Sequence, residues 1–414
     1  MILRDRAVAG LLLSEAISTF GSRLTLVALP WFVLATTGSA ARMSLVLAMN
    51  VVPVAILGSP SGLFVSRFGA RRTLLVSDLV RAPLIALIPA LHSLGALSFP
   101  LLLFLVFVMG VATAPYFASK RLVLPEILGE DERLVAQGHS AIEAANRLTA
   151  VLGPIAAGFV IATLGAASVL WLDAASFLAS FVLLAALVAE HRRRATPSEK
   201  RPTLLAGVGF LAHDRLLGGI ALTIVGFGAV WPVVFAALPV LAYTRFGGDP
   251  KIAGFLFAAW GAGTLAGSIV SFVAAPRIAP VTLARLALVG VALSLTSLTA
   301  AATPWGVATA LLVAGLFLSL SNAPMVSLSI LRTPPHLRAH VMTAVTTAEE
   351  LPGPVVLAIA GPVFEAFGAR PAFVFVAVGA AVAAATFLAA TATPARPPAR
   401  ARRSRSSSCS ASPP

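Results

Sequence analysis

Residues 5–30, DRAVAGLLLSEAISTFGSRLTLVALP, and residues 214–239, DRLLGGIALTIVGFGAVWPVVFAALP, read as one segment written twice. Both open on Asp-Arg and close on Ala-Leu-Pro, at a constant spacing of 209 residues. The same spacing pairs Gly38 with Gly247, Gly58 with Gly267, Ala114-Pro115 with Ala323-Pro324, and Pro125 with Pro334. Matches of Ala and Leu are common in this composition, and matches of Asp and Pro are not. The chain reads as two copies of one unit.

Composition fixes the medium in which those copies fold. Of 414 residues, 58% are hydrophobic and 11% are charged, with a mean hydropathy of +0.94. A soluble domain carries about 25% charged residues, so the surface here must be covered by lipid. Apolar stretches fall at 8–36, 43–65, 73–94, 98–118, 137–163, 168–189, 216–244, 252–274, 281–302, 305–330, 339–364 and 370–391. Each is long enough to cross about 30 Å of hydrocarbon at about 1.5 Å per residue. The expected fold class is an all-α membrane protein of about twelve transmembrane helices. Six spans per copy keep both halves in one orientation, related by an axis along the membrane normal. The polar stretch His191–Arg201, HRRRATPSEKR, divides them. The expected organisation is a six-helix bundle over 1–190, a cytosolic loop over 191–213, a second bundle over 214–392, and a disordered cytosolic tail over 393–414.

The first apolar run is interrupted by Glu15 and Arg23 and precedes no small-residue cleavage site, so it reads as a span and not a signal peptide. The formal net charge is +14. Its basic residues lie between apolar stretches instead of forming a patch, which argues against a nucleic-acid partner. Arg4, Arg6, Arg67, Arg71, Arg72, Lys120, Arg121, Arg133, the Arg192–Arg194 run, Lys200, Arg201, Arg215, Arg277, Arg332, Arg338 and the tail's Arg396, Arg400, Arg402, Arg403 and Arg405 fall on one side. Only Arg42, Arg245, Lys251 and Arg370 fall on the other. By the positive-inside rule both termini are cytosolic. The single cysteine, Cys409, excludes an internal disulfide or thiolate metal site. No phosphate loop, metal spacing or nucleophile elbow stands out, so no enzyme activity and no cofactor is expected, and transport must draw on an ion gradient or run passively.

An ionisable side chain at the bilayer centre costs about 2.5–3.5 kcal/mol, so each one asks for a partner or a function. Glu349 and Glu350 lie midway along span 11, just before Pro352-Gly353-Pro354, on a polar stripe with Thr343, Thr346 and Thr347. Two adjacent carboxylates in a low dielectric cannot both ionise cheaply, which suits a proton carrier. Glu143 and Arg147 share a helix face in span 5 with His139 and Asn146; coupling and a permanent closing ion pair both fit. Glu15 shares a face of span 1 with Thr19 and Ser22. The proton-coupling candidates are therefore Glu350, Glu349, Glu143, Arg147 and Glu15. Asp173, near the outer end of span 6, reads as a helix-end hydrogen-bonding residue.

Two motifs carry a family resemblance. Residues 62–72, GLFVSRFGARR, resemble the major facilitator signature in the loop after span 2. Gly62, Arg67, Gly69, Arg71 and Arg72 fit it, and Ser66 stands where the family usually has Asp. Asp78 and Arg81, one turn apart in span 3, are candidates to pair with each other or with those arginines at a cytosolic gate. Residues 151–158, VLGPIAAG, resemble the span 5 motif of exporters in this superfamily, with Gly153, Pro154 and Gly158 as candidate bending positions. Longer stretches, 14–40, 123–143 and 153–178, are similar to the macrolide-efflux and enterobactin-exporter branch.

The resemblance implies a central cavity lined by spans 1, 4, 7 and 10. Arg23, Tyr116, Trp231, Asn322 and Tyr243 are its candidate substrate contacts, with an interfacial belt the competing reading for Tyr243. The function implied is proton-coupled export of small amphipathic compounds by alternating access. The setting is a monomer in a bacterial inner membrane whose partners are substrate, protons and lipid. Uptake symport, facilitated diffusion and a non-transporting sensor stay open.

Overall fold

The computed structural model describes residues 6–128, 132–188, 204–274 and 276–392. Asp5 of the repeat, the stretch His191–Arg201 and the tail 393–414 lie outside these residues. The first half is α1 (Arg6–Thr37), α2 (Ala40–Phe68), α3 (Ala70–Ser93), α4 (Phe99–Leu128), α5 (Glu132–Leu164) and α6 (Ala166–Leu187). A short α7 (Leu204–His213) leads into α8 (Arg215–Thr244), α9 (Pro250–Ala274), α10 (Pro280–Ser297) and α11 (Pro304–Arg332). The chain ends in α12 (Arg338–Glu350), α13 (Pro352–Phe367) and α14 (Arg370–Ala392), with no strand among the described residues. Among the described residues, twelve stretches are long and apolar enough to span a membrane, α12 and α13 together forming the eleventh.

Local chemistry sets these boundaries. Asp214 caps α8, its Oδ1 accepting from the backbone N–H of Leu216 (2.9 Å) and Leu217 (3.0 Å). Ser39 caps α2 by accepting from Arg42 N–H, and Thr303 caps α11 ahead of Pro304 at its first position. Single glycines reverse the chain between helices. Gly69 (φ +84°) joins α2 to α3 and Gly165 (φ +82°) joins α5 to α6, in a region closed to most side chains.

Two elements differ from the sequence reading. Residues 204–213, expected within the connecting loop, form α7, which packs on α12 and α8. Span 11, expected as one helix over 339–364, is divided at Leu351. Pro352 and Pro354 supply no backbone N–H, so the hydrogen-bond ladder lapses there. Leu351 keeps helical angles (φ −61°, ψ −40°).

Packing repeats between the halves. In the first, α1 lies on α5 and α6, α3 on α4 and α6, and α2 on α4. In the second, α8 lies on α13 and α14, α10 on α11 and α14, and α9 on α11. The halves meet along two seams, α5 with α9 and α2 with α13. Each seam maps onto the other when the two copies are exchanged, which is the arrangement a parallel repeat generates.

The α5–α9 seam needs glycine. A Cβ on Gly158 would stand 2.9 Å from the Pro250 carbonyl oxygen, and one on Gly254 would collide with that of Pro154. Small residues let helix backbones approach this closely in a bilayer. Further contacts join the halves at the face away from Arg6 and Ala392. There Trp31 and Tyr243 meet edge-on at 5.6 Å, and Lys251 Nζ sits 5.2 Å from the Phe159 ring. Glu365 Oε2 accepts from Ser39 Oγ (2.8 Å) and Ala41 N–H (3.1 Å) at the start of α2.

Candidate functional site

Several ionisable residues of the first half's spans gather into one polar chain. It begins on α3, where Arg81 Nη2 donates to Asp78 Oδ1. Ser180 of α6 donates to the second oxygen, Asp78 Oδ2, at 2.7 Å. Asp78 and Arg81 are 1% and 3% exposed, so the pair is held wholly inside the first half. The Arg81 guanidinium lies between two rings, 3.9 Å from the centroid of Tyr116 and 4.3 Å from that of Phe177.

Tyr116 carries the chain onward. Its hydroxyl donates to Glu15 Oε1 at 3.1 Å, and Glu15 Oε2 pairs with Lys120 Nζ at 2.6 Å. Tyr116 and Lys120, four residues apart on α4, present both partners on one face to a single carboxylate of α1. Lys120 also reaches Thr19 Oγ1 (3.5 Å) and Asn146 Oδ1 (3.4 Å), crossing to α5. Next along α5, Arg147 Nε pairs with Glu143 Oε1 at 2.8 Å. Arg147 Nη1 donates to Ser319 Oγ of α11 at 3.2 Å, and with that contact the chain enters the second half.

The expected site residues distribute as follows. Glu15, Glu143 and Arg147 join the chain. Asp78 and Arg81, expected to pair with each other or with the loop arginines at a gate, pair with each other inside the bundle. Tyr116, expected on the cavity wall, is 5% exposed within the first half. Arg23 is half-buried on α1, with its Cβ against Gly153 of α5. Trp231 clusters with Phe235 (5.8 Å) and Trp260 (6.1 Å). Asn322 is exposed on α11, three residues from Ser319.

Glu349 and Glu350 are exposed at the end of α12. The Glu349 backbone lies so close to α8 that a Cβ on Gly228 would collide with its carbonyl. Pro154 lies inside a continuous α5, and Gly158 forms the seam with α9. At the signature loop, Arg71 Nη2 donates to the Ala185 carbonyl of α6 at 3.1 Å, and the Arg67 guanidinium stands over the Phe68 ring. Gly62 faces open space, and Gly69 supplies the turn. Arg72 and Ser66 each keep an interaction in the fold.

Sequence reasoning missed Lys120 and Glu126. Glu126 accepts from Ala70 N–H with both oxygens (3.1 and 3.2 Å), placing a carboxylate on the N-terminus of α3. Lys120 was absorbed by the positive-inside reading. Its four-residue spacing from Tyr116 inside an apolar helix was the available signal.

Twelve spans in two parallel halves around a membrane-buried polar chain define a secondary transporter architecture. The sequence profile of the Major Facilitator Superfamily matches residues 11–356, and the chain belongs to that family, one of transporters and not of enzymes. It is 26% identical over 362 residues to the multidrug efflux pump Tap of Mycolicibacterium fortuitum, covering 85% of this chain and 88% of that one. Among solved structures, a bacterial homologue of the iron transporter ferroportin in an inward-facing state superposes with a TM-score of 0.75 at 13% identity, covering 94% and 99% of the two chains. A D-xylose–proton symporter superposes at 0.72 with 15% identity, covering 92% and 96%.

Proposed function

We propose that this transporter exports small amphipathic compounds in exchange for protons, by alternating access between its two halves. The termini face the cytosol of a bacterial cell, and the protein works as a monomer. The observation that carries the reading is the polar chain from Asp78 to Ser319. It holds several ionisable groups inside membrane helices, where each is costly unless used, and it crosses from one half to the other at Arg147 and Ser319. Export as the direction draws on the similarity to pumps named for multidrug efflux. In this reading the contacts of Glu365 with Ser39 and of Trp31 with Tyr243 hold a state closed to the outside.

In this reading Arg23, Trp231 and Asn322 meet substrate, and Pro154 with its flanking glycines lets α5 yield as the seam opens. Glu349 and Glu350 sit at the break in span 11 and serve as a second proton site. Gly62, Arg67, Gly69, Arg71 and Arg72 form the cytosolic gate.

The test is substrate-dependent proton movement in proteoliposomes, with Glu15→Gln and Glu349→Gln/Glu350→Gln beside wild type. Loss of proton movement in Glu15→Gln is expected. Intact transport and intact pH dependence in every variant overturns the coupling assignment. Uptake symport is the second reading, favoured by the shared fold with a proton symporter; orientation-controlled vesicles given a pH jump separate the two.

A further inference from the structure

We infer that Lys120 is the residue that relays protonation of Glu15 to the contact between the halves. The inference rests on the proton-coupled reading above and assigns it a moving part.

The first leg is geometry. Lys120 Nζ lies 2.6 Å from Glu15 Oε2 and 3.4 Å from Asn146 Oδ1. One ammonium thus has a charged partner on α1 and a neutral one on α5. Glu15 is 5% exposed. The charged groups around them are Asp78 and Arg81 on α3, Arg23 on α1, and Glu143 and Arg147 on α5. Asp78 is already held by Arg81 and Ser180, and Glu143 by Arg147. Glu15 is the carboxylate left to balance Lys120.

A proton added to Glu15 converts the carboxylate to the acid and consumes nothing else. The pair then changes from neutral to singly positive. Lys120 loses its ion-pair partner and keeps Asn146, the residue immediately before Arg147. The unbalanced cation is drawn toward α5, where it repels Arg147 and competes for Glu143. Arg147 is the group that donates across the halves to Ser319 (3.2 Å). Protonation in the first half thereby weakens a bond to the second, and deprotonation restores it.

The second leg is the repeat. At the 209-residue spacing Glu15 corresponds to Ile224, Asp78 to Ala287, Arg81 to Gly290, Tyr116 to Met325 and Lys120 to Ser329. Ala287, Met325 and Ser329 are buried as well. The second half therefore builds the same bundle with no charge at any of these positions. The fold does not require the cluster, and replacing buried ion pairs by apolar groups is often neutral or stabilising. Retaining four charged groups, Glu15, Asp78, Arg81 and Lys120, in one half only is the mark of a task performed there.

The experiment uses the full chain in proteoliposomes with ethidium as probe and a lumenal pH dye. Two quantities are read: ethidium exchange at equal pH on both sides, and accumulation driven by a pH gradient. In Lys120→Met, gradient-driven accumulation is expected to fall at least about tenfold, within the usual span of coupling between two sites, while exchange falls far less. Lys120→Arg keeps the cation and restores most of the accumulation. Glu15→Gln/Lys120→Met is no worse than Lys120→Met alone. Equal retention of both activities in Lys120→Met overturns the relay. So does equal loss of both, unrescued by Lys120→Arg, which makes Lys120 structural. If wild type itself exchanges ethidium but ignores the gradient, the proton-coupled reading fails instead.

Discussion

Asp78 and Arg81 illustrate what a single side chain can decide in this protein. Each is almost fully enclosed, and removing one leaves the other charged and unpaired. Breaking a buried pair in this way costs about 3–5 kcal/mol. Asp78→Asn and Arg81→Ala are each expected to lower the melting temperature in detergent sharply, and the double variant by less than the sum. Additive losses would mean the two charges do not depend on each other. The pair was legible from its three-residue spacing, as Glu143 with Arg147 was from four, because a helix brings such positions together regardless of tertiary context. The partners on other helices were not. Glu15 with Tyr116 and Arg147 with Ser319 lie 101 and 172 residues apart in the chain, and no local rule joins them.

At the scale of elements, the seam between α5 and α9 depends on missing side chains. Gly254→Leu is expected to force the helices apart where Pro154 now touches them. Transport should fall by at least about tenfold with expression retained, because interiors packed at this density do not absorb an added side chain. Normal transport would show that the seam never closes this tightly during the cycle. Gly228→Val makes the same demand at Glu349 and should separate α12 from α8, read as altered protease or thiol-reagent access to α12. The glycines of residues 151–158 were visible in sequence, but their partner was not. The motif reads as a bending device, whereas Gly158 is packed on a neighbour's backbone. The break in span 11 was foreshadowed by two prolines and obscured by continuous hydropathy, which measures apolarity and not hydrogen bonding.

For the whole molecule, the face opposite the termini is held by Glu365 on Ser39 and Ala41 and by Trp31 on Tyr243. Ser39→Cys/Glu365→Cys in a Cys409→Ser background, joined by a short thiol cross-linker, should arrest transport, and a cleavable linker should restore it on reduction. Undiminished transport while cross-linked would overturn alternating opening at this face. Glu365→Gln should favour opening, since the neutral side chain loses its charge interaction with the start of α2, worth about 0.3–1 kcal/mol, read as faster thiol-reagent labelling of Ala41→Cys in the Cys409→Ser background.

By itself the sequence determined the medium, the number of spans, the division into two parallel copies and the family signature. These follow from composition, from length against bilayer thickness and from a constant repeat spacing, all properties of the chain taken in order. Only the tertiary structure decided where the charges meet. The 209-residue repeat places equivalent backbones on equivalent paths, yet it says nothing of side chains that one copy carries and the other lacks. The segment that opens at Arg6 gains its meaning from Glu15 against Lys120. The segment that opens at Arg215 places Ile224 at the matching position. Ion pairs between helices form through distance in space, and that distance is set by packing across the whole bundle.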